Sequence, residues 1–195
     1  MVHLRPIMKN TAEDQFNVCL PIIQQIESQG ANVIGSITDD HKVNQKFVTL
    51  FPCVNGLRRH PHDDDRPWFH LFDPVHLLKR IRDNWITEKL QQLELIPGKI
   101  AKWKDITDAA KKENNNLLKT TGLYNAALRP STFERQNVKH VLAIFNEKVV
   151  AQLHLNGHED TALTVKLICD WFAFRNVCSL GEEKRFNDEN KKVSV

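Results

Sequence analysis

The chain lacks the features that mark most specialised protein classes. Its four cysteines, Cys19, Cys53, Cys169 and Cys178, stand alone with no C-x-x-C pair. Neither a zinc knuckle nor a redox motif is indicated, and free thiols are expected. Glycine is scarce, with seven in 195 residues. They form no Rossmann run and no G-x-x-x-x-G-K-[ST] phosphate loop, and G-x-S-x-G and H-E-x-x-H are also missing. Conventional dehydrogenase, NTPase, hydrolase and zincin chemistries are therefore unsupported. No apolar run approaches the roughly 20 residues of a membrane helix. The opening MVHLRPIMKN has no apolar signal core, so secretion is not expected.

What remains is an ordinary globular composition, 41% hydrophobic and 26% charged, long enough to bury a core. The net charge of +3 is mild, short of the excess of a dedicated nucleic-acid binder. The cations are unevenly spread, however. Lys79, Arg80, Arg82, Lys89, Lys99, Lys102, Lys104, Lys111 and Lys112 crowd the middle of the chain. They form either a candidate phosphate-contacting surface or a solvated helical face.

Thr11 with Asp14 reads as a capping box opening a helix over 11–28, which Gly30 would stop. Val33-Ile34-Gly35-Ser36-Ile37 has strand length and ends in Thr38-Asp39-Asp40. A second helix follows, with Val43, Phe47 and Leu50 on one face. Residues 52–67 are rich in breakers and read as a loop. Trp68–Phe72 reads as a buried strand. Asp73-Pro74 then opens a helix whose apolar face is Leu77, Leu78, Ile81 and Trp85. Past residue 85 no strand is evident. Helices are expected over 86–95 and 103–119, with Pro97-Gly98 between them, then over 133–153 and 160–175. In the last, Leu163, Leu167, Ile168, Trp171 and Phe172 should face inward. From Gly181 onward the chain is polar and expected to fray. The fold class is thus α/β plus all-α, with a partial α/β domain over 1–85 and a helical domain over 86–195.

Three constellations carry possible chemistry. Asp39, with Asp40 and Asn44, sits at a strand end, where functional side chains collect in α/β sheets. A carboxylate there can hold Mg²⁺, and either aspartate can equally cap the following helix. His60-Pro61-His62-Asp63-Asp64-Asp65 contains metal-ligand types, but no second ligand cluster has recognisable spacing, and a solvated acidic loop fits it better. Phe72 to Asn84 combines an aromatic strand, a Pro-initiated helix and the cations Lys79, Arg80 and Arg82 on its outer face.

This last segment, FDPVHLLKRIRDNW, resembles the hallmark of P-element-type transposases, including THAP-domain transposases. The matching residues are Asp73, Pro74, His76, Leu77, Lys79, Arg82 and Asn84. GANVIGSITDDHKVN is similar to the family's strand ending in its second catalytic aspartate, which falls on Asp39, with Asn44 on a spaced asparagine. Trp103 matches a tryptophan early in the family's insertion. RQNVKHVLAIFNEKVVAQL resembles the insertion's best-marked helix, with Val138 on its valine. TVKLICDWFAFRN resembles a segment in which Phe172 and Asn176 fit.

The resemblance implies an incomplete RNase H-like lobe followed by a mostly helical insertion. In the P-element transposase that insertion binds GTP as an assembly cofactor on DNA, without hydrolysis for energy. On this chain the implied nucleotide residues are Val138, Lys139 and Asp170, and the implied DNA contacts are Lys79, Arg80 and Arg82. Asp39 is the implied Mg²⁺ ligand and catalytic acid. The resemblance places the family's first aspartate before residue 1 and its glutamate beyond residue 195. Only one of three acids is then present, and a two-metal site needs more. Ala173 stands where the family has an aspartate after Phe172, which weakens the case for guanine selectivity; Asp170 lies roughly one helical turn away. The implied location is nuclear; composition alone fits the cytoplasm. The implied partners are DNA and GTP, and oligomeric state is not legible.

Overall fold

The computed structural model describes residues 11–114 and 120–176. The chain divides into two compact units, 1–76 and 77–195. The sequence puts the change of texture at residue 85. Leu78 and Trp85 belong to the second unit's core.

In the first unit, α1 (Ala12–Ser28) starts at the expected capping box. The Asp14 amide donates to Thr11 Oγ1 at 3.1 Å, and the Thr11 amide donates to Asp14 Oδ2 at 3.3 Å. β1 (Gly35–Thr38) and α2 (Lys42–Thr49) follow. Residues 52–67 are not a loop. They form an antiparallel sheet of β2 (Cys53–Val54), β3 (Leu57–His60) and β4 (Asp63–Pro67). Asn55 and Gly56, at φ of 51° and 79°, make the two-residue turn joining β2 to β3. Two successive positive φ values are what a hairpin matched to strand twist requires. The sequence hides these strands because their side chains are mostly charged.

β5 (Phe69–Phe72) pairs with β1 in parallel, Gly35 opposite Phe69 and Thr38 opposite Phe72. The approach is close at Gly35. A Cβ built there would lie 2.0 Å from the Phe69 carbonyl oxygen, so only glycine fits. The unit's core is small: Ala12, Ile23, Phe47, Phe51 and Trp68. Phe51 stacks on Trp68 at 4.7 Å, and Phe16 meets Phe51 edge-on at 5.0 Å.

α3 (Pro74–Thr87) begins where Asp73-Pro74 predicts. The next segment departs from expectation. Residues 86–95 do not continue as a helix; β6 (Gln92–Ile96) and β7 (Lys99–Lys102) form a hairpin around Pro97-Gly98. Proline followed by a glycine at φ 76° suits a tight turn. α4 (Trp103–Asn114) follows, and residues 115–119 lie outside the described part.

The long helix expected over 133–153 is broken. After α5 (Asn125–Leu128) comes a 3₁₀ turn, Glu134–Gln136, then α6 (Val138–Leu142) and α7 (Glu147–Leu155). Asn137 and Asn146 cause the breaks. Each turns its side chain back to cap a new helix, Asn137 Oδ1 accepting from the Lys139 amide and Asn146 Oδ1 from the Lys148 and Val149 amides. α8 (Glu159–Arg175) matches its expected span. Its face is corrected, however: Ile168 is buried, while Leu163 and Leu167 are exposed. The polar end from Gly181 lies outside the described residues. The fold class is a mixture of helices and small sheets, with helices dominating the second unit.

Candidate functional site

The parallel pairing of β1 and β5 brings two aspartates to one sheet edge. Thr38 and Phe72 are opposite residues at the strands' carboxyl ends, so Asp39 and Asp73 follow them side by side. The Asp73 amide donates to the Thr38 carbonyl at 2.8 Å, tying the two exits together. Asp39 Oδ1 accepts from the His41 amide at 3.0 Å and from the Asn44 amide nitrogen at 2.5 Å. The His41 N–H bond is the main cause of its lowered pKa, aided by Asn44 and by nearby His76 and His41, against the cost of partial burial. Asp73 Oδ1 accepts from the Val75 amide at 2.9 Å, capping α3, while Oδ2 lies 2.5 Å from His76 Nδ1.

Sequence reasoning named Asp39, Asn44, Asp73 and His76 but did not see that strand pairing sets the two aspartates next to each other. Both serve as turn and cap acceptors. Among the described residues no group of three histidine, cysteine or acidic side chains is placed to hold a metal ion.

His60 and His62 do not form a metal cluster with the acidic run. His60 is fully buried. Its Nε2 faces Glu27 at 3.3 Å, while Arg66 lies 3.1 Å from Nδ1 and the His62 amide donates to Nδ1 at 3.3 Å. A neutral ring with the proton on Nε2 faces Glu27 and leaves Nδ1 to accept from the His62 amide, with Arg66 3.1 Å from both ring nitrogens. Burial, the largest cause, lowers its pKa accordingly. Arg66 also reaches Glu27 at 2.8 Å and Asp63 at 2.9 Å. This is a structural ion cluster. Cys19 and Cys169 are poor nucleophiles: burial raises the Cys19 thiol and pushes Cys169 up to about 12.

The cations of α3 divide. Lys79 is half-buried, with Nζ 3.4 Å from Gln136 Oε1, and Arg80 is exposed. Arg82 is corrected outright. Expected on the outer face, it is fully buried. It donates from Nε to Asp83 Oδ1 at 2.8 Å and from a terminal nitrogen to the Arg135 carbonyl at 2.7 Å. As placed, it anchors the 3₁₀ turn. Asn84 is exposed, its carbonyl accepting from the Glu88 amide.

In the second unit, Val138 and Lys139 open the short α6. Asp170 lies on α8, paired with Lys166. No hydrogen bond or ion pair among the described residues links Lys139 to Asp170, so the structure does not gather these three into one polar cluster. Trp103 is buried and meets Trp85 edge-on at 5.4 Å.

Comparison with known proteins bears on the fold. No protein-family model and no curated protein matches the chain. One solved structure does: the Drosophila P element transposase strand transfer complex. The TM-score is 0.74 at 20% sequence identity, over 90% of this chain and 42% of that one. The chain has a P element transposase-like fold and spans less than half the length of the protein it overlays. Among the described residues no helix is long and apolar enough to cross a membrane.

Proposed function

We propose that this chain is transposase-related, of the P-element and THAP-associated type. Its first unit is part of an RNase H-like lobe and its second is the insertion. It binds DNA or nucleotide in the nucleus and, with these residues alone, does not carry out strand transfer. The observation that carries the reading is the edge where Asp39 and Asp73 leave adjacent parallel strands, within a fold that overlays a transposase structure.

In this reading Asp39 is the carboxylate that would face Mg²⁺ in a complete site, and it needs acidic partners that the described residues do not supply. Lys79 and Arg80 on α3 would meet DNA phosphate in this reading. Val138 and Lys139 would meet GTP, Lys139 at its phosphates. Asp170 would have to leave Lys166 to read guanine, so GTP preference is expected to be modest.

One observation favours a second reading, a piece of an active transposase whose other catalytic acids lie outside this chain. The β1–β5 pair is inverted. Ser36 and Thr38 each hydrogen-bond to His70 on one face, while Ile37, Phe69 and Leu71 on the other are 71%, 58% and 42% exposed. Parallel strands are normally covered on both faces, and a larger lobe would cover this one.

Anisotropy titration with labelled duplex DNA over a salt series tests the first reading. Saturable binding is expected, with a shallower salt slope in Lys79→Ala/Arg80→Ala. Salt-independent or absent binding would sink the DNA part. A strand-transfer assay that is positive with this chain, and abolished in Asp39→Ala, would replace the first reading with the second.

A further inference from the structure

The second unit holds a cleft of about 460 Å³ that the proposed function does not use, and three kinds of group line it. Ile86, Trp103 and Leu128 make an apolar floor, with the exposed Leu90 at the lip. Lys102, Lys104 and Arg129 bring positive charge to the rim. Gln91, Gln92 and Thr107 add hydrogen-bonding groups, and among the described residues no carboxylate lines the space.

The charge is set by the strand-to-helix junction. β7 ends at Lys102 and α4 begins at Trp103, so two lysines flank the tryptophan of the floor. Lys104 sits in the first turn of a helix, where the macrodipole disfavours a cation unless an anion is near. The neighbouring acids are used elsewhere. Asp105 accepts from Thr161 Oγ1 at 2.5 Å and faces His158 at 3.4 Å. Glu88 Oε2 accepts from the Leu90 and Gln92 amides at 2.7 and 3.2 Å.

Nearby cations in the chain are paired where these are not. Lys99 meets Asp160 at 3.1 Å and Lys111 meets Asp108 at 3.0 Å. Lys102, Lys104 and Arg129 are exposed and make no side-chain ion pair among the described residues. Asp108 feels the charge of Lys104 but is bonded to Lys111.

The polar wall is fixed in advance. Gln91 holds a left-handed conformation at φ 52°. Its carbonyl accepts from the Trp103 amide at 2.9 Å and from Trp85 Nε1 at 3.0 Å. Such a backbone persists only where its surroundings enforce it. The Gln91 side-chain nitrogen donates to the Ile86 carbonyl at 3.0 Å, and the Thr107 hydroxyl donates to the Lys104 carbonyl at 2.8 Å. Both side chains keep an oxygen that can accept. Gln92, whose side chain makes no hydrogen bond among the described residues, offers a donor as well as an acceptor.

We propose that this cleft docks an extended, acidic peptide segment of a partner protein, anchored by one aliphatic side chain. The anchor fills the apolar floor. Carboxylates on either side of it meet Lys102, Lys104 and Arg129, and the peptide backbone meets the amides of Gln91 and Gln92 and the Thr107 hydroxyl. β6 begins at Gln92 and pairs with β7 alone among the described residues, so a strand edge continues from the cleft for the peptide to lie along. A nucleic-acid strand suits the floor less well. Strand binders stack bases on open aromatic faces, and Trp103 is 2% exposed with Trp85 against it edge-on. The site shares no residue with Lys79, Arg80, Val138, Lys139 or Asp170, so it stands or falls separately from the proposed DNA and GTP contacts.

The test titrates the full chain, by fluorescence anisotropy, against a panel of labelled peptides of equal length. The central residue is Leu, Ile, Met or Gly, and the flanks are all Asp and Glu or all Lys. Saturable binding is expected for acidic peptides with Leu, Ile or Met at the centre, weaker by at least about tenfold with Gly, and absent with Lys flanks. Lys102→Glu/Lys104→Glu should weaken it by at least about tenfold, as like charges now face each other. Arg129→Glu and Leu90→Ser, single changes at exposed positions, are the variants to read should the double lose its circular dichroism signal. Lys148→Glu, an exposed change on α7, should leave binding unchanged and so separates the cleft from overall charge. No saturable binding across the panel, equal binding of the Leu and Gly peptides, or cleft variants that bind as the parent does would each overturn the proposal. A labelled single-stranded oligonucleotide that binds more tightly than any peptide, and is lost in the same cleft variants, would overturn it in favour of a nucleic-acid strand.

Discussion

The two units of this chain are held together by different means. Among the described residues, nineteen buried apolar side chains of the second form one core drawn from α3 through α8. In the first, five do the same work, and a polar cluster of Glu27, His60, Arg66 and Asp63 secures the three-stranded sheet. Apolar burial is non-directional and tolerant of sequence change, whereas a buried polar cluster depends on every partner and on protonation. The first unit also leaves Ile37, Phe69 and Leu71 exposed on a parallel pair. It is the less self-sufficient half, and the half that carries Asp39.

The largest effect expected from one substitution is in the second unit. Trp85→Ala removes a fully buried indole and its bond to the Gln91 carbonyl, at a cost of about 3–5 kcal/mol. Hydrogen exchange read by peptide should show faster exchange across α4 to α8. Exchange that rises only in residues 11–76 would break the division. Next is Gly35→Ala. The new methyl meets the Phe69 backbone, and forcing β1 from β5 should cost about 2–3 kcal/mol. Its exchange signature should stay in the first unit, and full protection of β1 and β5 in the variant would show that the close approach is relaxed in solution. Thr11→Ala takes away the capping box of α1 and should cost about 1 kcal/mol, again in the first unit, as a lowered melting temperature.

The mildest test is pH. His60 and His70 have folded pKa values lowered, chiefly by burial. The unfolded chain therefore binds more protons, and stability falls as pH drops through about 6.5 toward the folded values. Glu113, buried in the second unit, is lowered by its bonds to Thr121 and Thr120 despite its desolvation. Its contribution is lost only as pH falls below about 4.5. The first unit should open at a higher pH than the second when each is followed by hydrogen exchange. Simultaneous opening would mean that the histidines do not separate them.

Much of this was legible in local signals. The Thr11–Asp14 box, the Asp73-Pro74 helix start and the short apolar runs gave α1, β1, β5 and α3, because each depends on neighbours within a turn. The hairpins were missed because LRRH and DDDRP carry no apolar alternation, although Asn55-Gly56 and Pro97-Gly98 were both on view as turns. Asn137 and Asn146 announced the breaks in the long helix only once their capping role was known. Arg82 was not legible at all, since its burial depends on a carbonyl 53 residues away. Nor was the meeting of Asp39 and Asp73, which depends on which strands pair.

The most direct test of the transposase-related reading is a calorimetric titration of the full chain with GTP, with ATP as competitor, in the presence and absence of Mg²⁺. The account predicts saturable GTP binding with at most a modest preference over ATP, weakened in Lys139→Ala. A folded protein whose GTP binding is absent, or is untouched by Lys139→Ala, would contradict it.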